Sequence, residues 1–282
     1  MFDLSAYLRR INYDGPLDTD FATLQALHRA HGLAITYENL DIHLKRPLTI
    51  DPQAAYEKIV ERGRGGWCYE QNGVIGLALE AIGFNVTRLS GDGSTPDSHL
   101  VLTVQLDDTT YVCDVGFADG PIDPYPLVEG SFTQQGFEFR VEKEANGYWR
   151  LFNHRFGAAP GFLAKKPDET AMVKRCQWLQ THPESPFTKH TTIFRRTHYG
   201  YHTLIDRTVR KITPEGVEQA EVANVKEYIN ALKSHFALDV PEVESLWPLI
   251  CEQHENYLRE AAAKKAAQED SESAVAERSP FG

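Results

Sequence analysis

Near residue 84 the apolar residues of this chain stop recurring every three to four positions and begin to recur every second one. That change divides the chain into a helical part and a strand-rich part. Before it, Asp20 precedes FATLQALHRAHG, where Phe21, Leu24, Leu27 and His28 share one face and Gly32 marks the expected stop. Asp51 and Pro52 supply an N-cap and a first-turn proline for QAAYEKIVERG. A third helix is expected from Cys68 through GVIGLALEAI, closing at Gly83. After it, FNVTRLSG, HLVLTVQL, TYVCDVGF, FEFRVEK and YWRLFNHR alternate, interrupted by PIDPYPL. The spacing points to a small antiparallel sheet or barrel, and so to an α+β fold. TTIFRRT and YHTLIDRTVRKIT, joined by HYG, read as a further hairpin. Two helices should follow, NVKEYINALKSHF and a longer one from Pro241 that Pro248 kinks or divides. The polar, small-residue segment 269–282 is expected to be a disordered tail.

Twenty-nine basic against forty acidic residues leave a formal charge of −11, which argues against a nucleic-acid or membrane-surface partner. No apolar run reaches the roughly 20 residues of a membrane span. MFDLSAYLRR lacks the basic start and apolar core of a signal peptide, so a cytoplasmic location is expected. The four cysteines (Cys68, Cys113, Cys176 and Cys251) form no C-x-x-C pair, so neither a metal site nor a disulfide framework is expected.

Chemistry concentrates in RGGWCYEQN, residues 64–72. Gly65 and Gly66 permit a tight turn and close approach to a ligand. Cys68 then falls in the first turn of a helix, where unpaired N–H groups and the positive end of the dipole favour a nucleophilic sulfur. The hairpin that follows constrains two further residues. Leu100, Leu102, Val104 and Leu106 alternate on one strand; Tyr111, Cys113, Val115 and Phe117 alternate on the next. For both sets to share a face, paired residue numbers must sum to an odd value, which a two- or four-residue loop provides. His99 and Asp114 then share the other face, a solvated one if they are ordinary polar residues. In the two-residue case His99 lies opposite Gly116, with Asp114 as its diagonal neighbour. A thiol, an imidazole and a carboxylate in those relations can serve as nucleophile, base and orienter.

RGGWCYEQN, SHLVLTV, DVGF and YENL together resemble the arylamine N-acetyltransferase family, over roughly residues 5–240. The resemblance implies an N-terminal helical bundle (1–84), a central antiparallel β-barrel (85–190) and a C-terminal α/β lid (191–268). It implies double-displacement transfer of an acetyl group from acetyl-CoA, through Cys68, to an arylamine, arylhydrazine or arylhydroxylamine. It casts Cys68, His99 and Asp114 as the triad, and Arg64 and Glu38 as a structural pair holding the cysteine segment with Gly65 and Gly66. Tyr37, Phe117 and Phe187 are cast as the aromatic lining of the acceptor pocket. Three departures stand out. Ala118-Asp119 follows DVGF where many relatives have glycine, Trp67 precedes the cysteine, and SGDGSTPDS (90–98) forms a compact loop expected to border the cleft. No GxxxxGK phosphate loop is present, so Lys189, Arg195 and Arg196 in KHTTIFRRTHYG are the candidate CoA contacts. The same triad would also suit a CoA-independent, papain- or transglutaminase-like cysteine hydrolase, or an amide synthase.

Overall fold

In the computed structural model, which describes residues 1–92, 97–157, 161–163 and 168–277, the helices begin where capping chemistry puts them. Helix α1 (Leu4–Arg10) follows Asp3 and α2 (Phe21–Ala34) follows Asp20, each carboxylate accepting a first-turn N–H. α2 runs two residues past the expected stop at Gly32. That glycine serves contact rather than termination, since a Cβ there would lie 3.1 Å from Cδ of Arg196. Strand β1 (Tyr37–Glu38) and the single-turn α3 (Leu40–His43) come next. Asp51 caps α4 (Pro52–Tyr56), which widens into a π turn over Glu57–Glu61. Helix α5 (Cys68–Ile82) starts at the cysteine and closes at Gly83, whose φ of +113° suits a residue without Cβ.

Strands β2 (Asn85–Asp92), β3 (His99–Leu106), β4 (Thr109–Cys113), β5 (Tyr125–Pro126), β6 (Gly130–Gln134), β7 (Phe137–Lys143), β8 (Tyr148–Phe152) and β9 (Gly161–Leu163) form one antiparallel sheet. Their order is β5-β4-β3-β2-β9-β8-β7-β6. The expected barrel is not closed: among the described residues the edge strands β5 and β6 share no ladder. Pro126 has no N–H to offer, Leu127 N–H goes to Thr110 and Val128 N–H turns back to Pro126. Yet only residues 127–129 link the two edges, so the sheet curls until they are neighbours. Tyr125 stacks on Phe132 across the gap at 5.1 Å between ring centroids, and Phe132 stacks in turn on Phe139, its partner in the β6–β7 ladder, at 5.3 Å.

The register of β3 and β4 is the two-residue case, Leu102 with Cys113 and Leu106 with Thr109, turning at Asp107-Asp108. Leu102, Val104 and Cys113 pack against α5 in the first core, with Val74, Ala78 and Leu79. The opposite face is not solvated. Val101 and Val112 join Phe137, Phe139 and Leu151 in a second core inside the curl.

Helices α6 (Glu169–Thr181) and α7 (Pro186–Lys189) lead to β10 (Thr192–Thr197), β11 (Gly200–Ile205), β12 (Thr208–Ile212) and β13 (Val217–Glu221). With β1 these make a second antiparallel sheet, β1-β10-β11-β12-β13. YHTLIDRTVRKIT is therefore two strands, broken at Asp206-Arg207. Helix α8 (Val225–Phe236) packs on this sheet through Tyr228, Leu232 and Phe236 in a third core with Leu40, Ile193 and Leu204. A 3₁₀ turn (Pro241–Leu246) precedes α9 (Trp247–Glu277), and Pro248 divides them, sitting in the first turn where no N–H is required. The expected tail is thus helical as far as Glu277, in keeping with the helix propensity of its Ala, Lys, Gln and Glu residues; residues 278–282 lie outside those described. No helix among the described residues is long and apolar enough to cross a membrane.

Candidate active site

The sequence from Arg64 to Trp67 runs beside Thr36–Glu38 because two glycines let it. A Cβ on Gly65 would lie 2.3 Å from the Thr36 carbonyl oxygen. Gly66 N–H donates to Thr36 (3.1 Å), and Glu38 N–H donates to Gly66 (3.2 Å). α5 starts one residue later. Glu70, in its first turn, accepts Trp67 N–H at 3.1 Å, which fixes the entry of the helix.

A buried ionic network supports this segment. Arg64 reaches Glu38 at 2.9 Å, the pair expected from the sequence, and Asp41 at 3.0 Å. Lys58, 2% exposed, lies 2.9 Å from Glu70, 3.2 Å from Asp41 and 3.8 Å from Glu38. Burial would push the Lys58 ammonium down, but the three carboxylates carry it well above the ordinary lysine range. Two cations against three anions leave one negative charge, which Arg46, 3.6 Å from Asp41, offsets from the surface, and every carboxylate touches a cation.

Cys68 stands at the head of α5, its thiol donating to the Ser98 carbonyl at 3.7 Å and lying beside the His99 ring, whose pKa it helps to raise. His99 opens β3, and its Nε2 lies 2.6 Å from Oδ2 of Asp114. Burial alone would lower the imidazole. The Asp114 carboxylate and the Cys68 contact outweigh it and raise the group to about 10. Asp114 is driven the opposite way: burial raises it, but His99 and Asn72 hold the carboxyl below its ordinary range. The helix start and the hairpin thus meet, with Cys68, His99 and Asp114 side by side.

β4 ends at Cys113, four residues before the end expected at Phe117, and Asn72 explains why. Its Oδ1 accepts the N–H groups of Val115 (3.0 Å) and Gly116 (3.2 Å), drawing them out of the ladder. Its Nδ2 donates to Asp114 Oδ1 (2.8 Å) and to the Leu100 carbonyl. Phe117 N–H completes the cradle of Asp114 at 3.0 Å. Gly116 lies against the helix start, where a Cβ would fall 2.8 Å from both Cα and O of Cys68. This glycine therefore lets α5 and the Asp114 loop touch, beyond merely clearing a path for His99. Asn72 was not singled out in the sequence. The signal was a polar Glu70-Gln71-Asn72 run in a helix whose later residues, Glu80 apart, are apolar or glycine, with Asn72 one turn beyond Cys68.

A cavity of about 400 Å³ opens over the sulfur, and the three expected aromatics, Tyr37, Phe117 and Phe187, all line it with Cys68 and His99. Phe194, Ala118, Asp119 and His190 also belong to its wall. Trp67 does not; it is fully buried and packs edge-on behind Phe187, centroids 5.7 Å apart. Residues 93–96 of the SGDGSTPDS loop lie outside those described. The YENL motif divides its labour. Tyr37 faces the cavity and Glu38 binds Arg64. Asn39 donates to the carbonyls of Phe187 (3.0 Å) and His190 (2.8 Å), and Leu40 enters the third core. His190 is also held by Asp206, whose Oδ2 lies 2.7 Å from its Nδ1.

The candidate CoA contacts fare differently. Arg196, 3% exposed, spends its guanidinium on the carbonyls of Phe117 (2.7 Å), Val115 (3.0 Å) and Asp114 (3.2 Å). It is therefore a clamp on the Asp114 loop and corrects the expectation of a phosphate contact. Arg195, on the other face of β10, donates to the Leu33 carbonyl at 3.3 Å. Lys189 is at the surface, paired with Glu184 at 2.7 Å.

A thiol at a helix start, an imidazole held by a carboxylate and an aromatic cavity above them are groups of the kind that covalent chemistry at cysteine uses. The chain belongs to the N-acetyltransferase family, whose sequence profile matches residues 20–245. It is 30% identical over 255 residues to an arylamine N-acetyltransferase of Escherichia coli, spanning 86% of this chain and 90% of that one. The arylamine N-acetyltransferase structure from M. tuberculosis superposes with a TM-score of 0.79 at 28% identity, over 86% of this chain and 96% of that one. The Mycobacterium marinum arylamine N-acetyltransferase, solved in complex with CoA, gives a TM-score of 0.78 at 29% identity, over 86% and 94% of the two chains.

Proposed function

We propose that this enzyme transfers an acetyl group from acetyl-CoA to the nitrogen of an arylamine or arylhydrazine, with Cys68 as the covalent carrier. The observation that carries this reading is the contact of Cys68 with the His99–Asp114 pair beneath an aromatic cavity, in a chain of this family. His99, which Asp114 and the Cys68 contact hold protonated near neutral pH, keeps the proton it shares with the thiol as Sγ attacks the thioester carbonyl carbon. The carbon–sulfur bond to CoA breaks, and the proton passes from His99 to the departing sulfur. The amine nitrogen then attacks acetyl-Cys68, the carbon–Sγ bond breaks, and the ammonium proton returns through His99 to Sγ. Asp114 orients the ring and balances its charge in both halves. First-turn N–H groups of α5 face the developing oxyanion. Tyr37, Phe117 and Phe187 stack the aryl ring. A weakly basic arylamine is neutral near pH 7 and attacks without prior deprotonation. Residues 1–84, 85–190 and 191–268 serve as nucleophile-bearing, base-bearing and lid regions.

Mass spectrometry of the intact protein after mixing with acetyl-CoA tests the reading. An acetyl adduct on Cys68, discharged by an arylamine and absent from Cys68→Ser, is the expected result. Cys68→Ser with near-normal turnover would overturn it.

A further inference from the structure

The cavity above Cys68 is lined mostly by carbon, yet its wall includes one carboxylate that the transfer reaction does not use, Asp119. Asp119 follows the Asp114 loop and is partly buried. Its Oδ1 accepts one N–H, from Asn153 at 3.2 Å, and it forms no ion pair among the described residues. Its charge is left largely uncompensated. A neighbouring guanidinium, Arg196, is committed to four loop carbonyls, and the nearby histidine, His154, turns its Nε2 to the Asp119 carbonyl oxygen. No lysine or arginine lines the cavity among the described residues. The charge of His99 is balanced by Asp114, and Lys189 is paired with Glu184 at the surface. Among the described residues, a carboxylate brought into this space meets a like charge and no unpaired lysine or arginine.

We propose that Asp119 is a specificity-determining residue, a charge filter that makes the cavity favour uncharged aryl acceptors over acceptors carrying a carboxylate. The inference rests on acetyl transfer through Cys68 and concerns which amine discharges it. Repulsion between two unit charges a few ångströms apart, at an effective dielectric of about 20, is enough for a discrimination of about tenfold or more. Burial pushes the Asp119 carboxyl up to about 6, against the opposing pull of Arg196 and Asn153. The filter should therefore weaken as pH falls through that value. Among the described residues, the other titratable or charged groups around it are Asp114 on the same loop, His154 after β8, Arg196 on β10 and Tyr201 on β11, with Tyr37, Cys68, His99 and His190 on the wall of the same cavity.

The test uses the full chain, acetylated by acetyl-CoA and freed of excess donor, with discharge by 4-aminobenzoate or 4-methylaniline followed by mass spectrometry. The measured quantity is the ratio of the two discharge rates, in which intrinsic amine reactivity and any general loss of activity cancel between variants. Asp119→Asn, which keeps the partner for Asn153, should raise the 4-aminobenzoate to 4-methylaniline ratio about tenfold, and Asp119→Ser should do the same. In the unsubstituted enzyme the ratio should rise as pH is lowered from about 8 to about 6, and in Asp119→Asn it should stay flat. A ratio within about twofold of the unsubstituted enzyme in both variants overturns the filter alone; absence of any acetyl adduct overturns it together with the reading on which it rests.

Discussion

Asn72→Ala removes four hydrogen bonds in one substitution, and its cost can be worked from the groups left behind. Val115 N–H, Gly116 N–H and the Leu100 carbonyl each lose the Asn72 side chain as partner in a buried place. At the low end of the cost of an unsatisfied buried group, about 1 kcal/mol each, the loss is about 3 kcal/mol. For a chain of 282 residues, the unfolding entropy at the midpoint is about 0.6 kcal/mol/K, so the melting temperature should fall by about 5 °C. Activity should suffer more than stability. Asp114 keeps Phe117 N–H and His99 but loses its bond to the helix that carries Cys68. A sub-ångström slip between Cys68 and His99 follows, and kcat should drop by about 10- to 100-fold. Thermal unfolding followed by circular dichroism, with steady-state acetylation of an arylamine on the same preparation, reads both quantities. A melting point lowered by less than about 1 °C together with full turnover would refute the role given to Asn72.

Lys58→Met leaves Glu38, Asp41 and Glu70 facing one another with Arg64 as their main remaining cation, and urea unfolding should show a loss of about 3–5 kcal/mol. An unchanged unfolding midpoint would contradict the network as described. Arg196→Lys keeps the charge but loses the fork that spans the Asp114, Val115 and Phe117 carbonyls, so kcat should fall with little change in KM for acetyl-CoA. A raised KM at constant kcat would restore the phosphate assignment instead. The His99 pair should also leave a mark on stability against pH. Because the folded value, about 10, lies above the ordinary histidine value of 6.5, its stabilisation is complete below about pH 6.5 and is lost as pH rises through about 10. The melting curve of the unsubstituted enzyme should converge on that of His99→Gln over this interval, and a constant gap would exclude the coupling.

Period and capping made much of this architecture legible. Asp20, Asp51-Pro52 and Gly83 act at helix ends as expected, and the alternation of β3 and β4 set the register that brings His99 and Asp114 together. Tertiary demands decided the rest. Gly32 looked like a helix stop, but Arg196, more than 160 residues away, needs its bare backbone. TYVCDVGF alternates to its end, yet Asn72 takes two of its N–H groups and the strand gives way to a loop. Arg196 carries the same composition signal as a phosphate ligand, and only its burial among carbonyls separates the two roles. Whether a curled sheet closes depends on single N–H groups at its edges, and alternation is silent about those. The tail was read from polarity, while its helix follows from propensity in Ala, Lys and Glu.

The clamp that Arg196 places on residues 114–117 has a bearing on the order of events during synthesis. Cys68, His99 and Asp114 all lie in the first 114 positions, so a nascent chain holds all three side chains of the proposed triad well before its last residues are added. The loop that aims the aspartate is held from β10, and the floor of the cavity includes Phe187 and Phe194. An amino-terminal fragment would therefore carry a thiol without its trained partner, and acylation should begin only once the β10 segment has left the ribosome and docked.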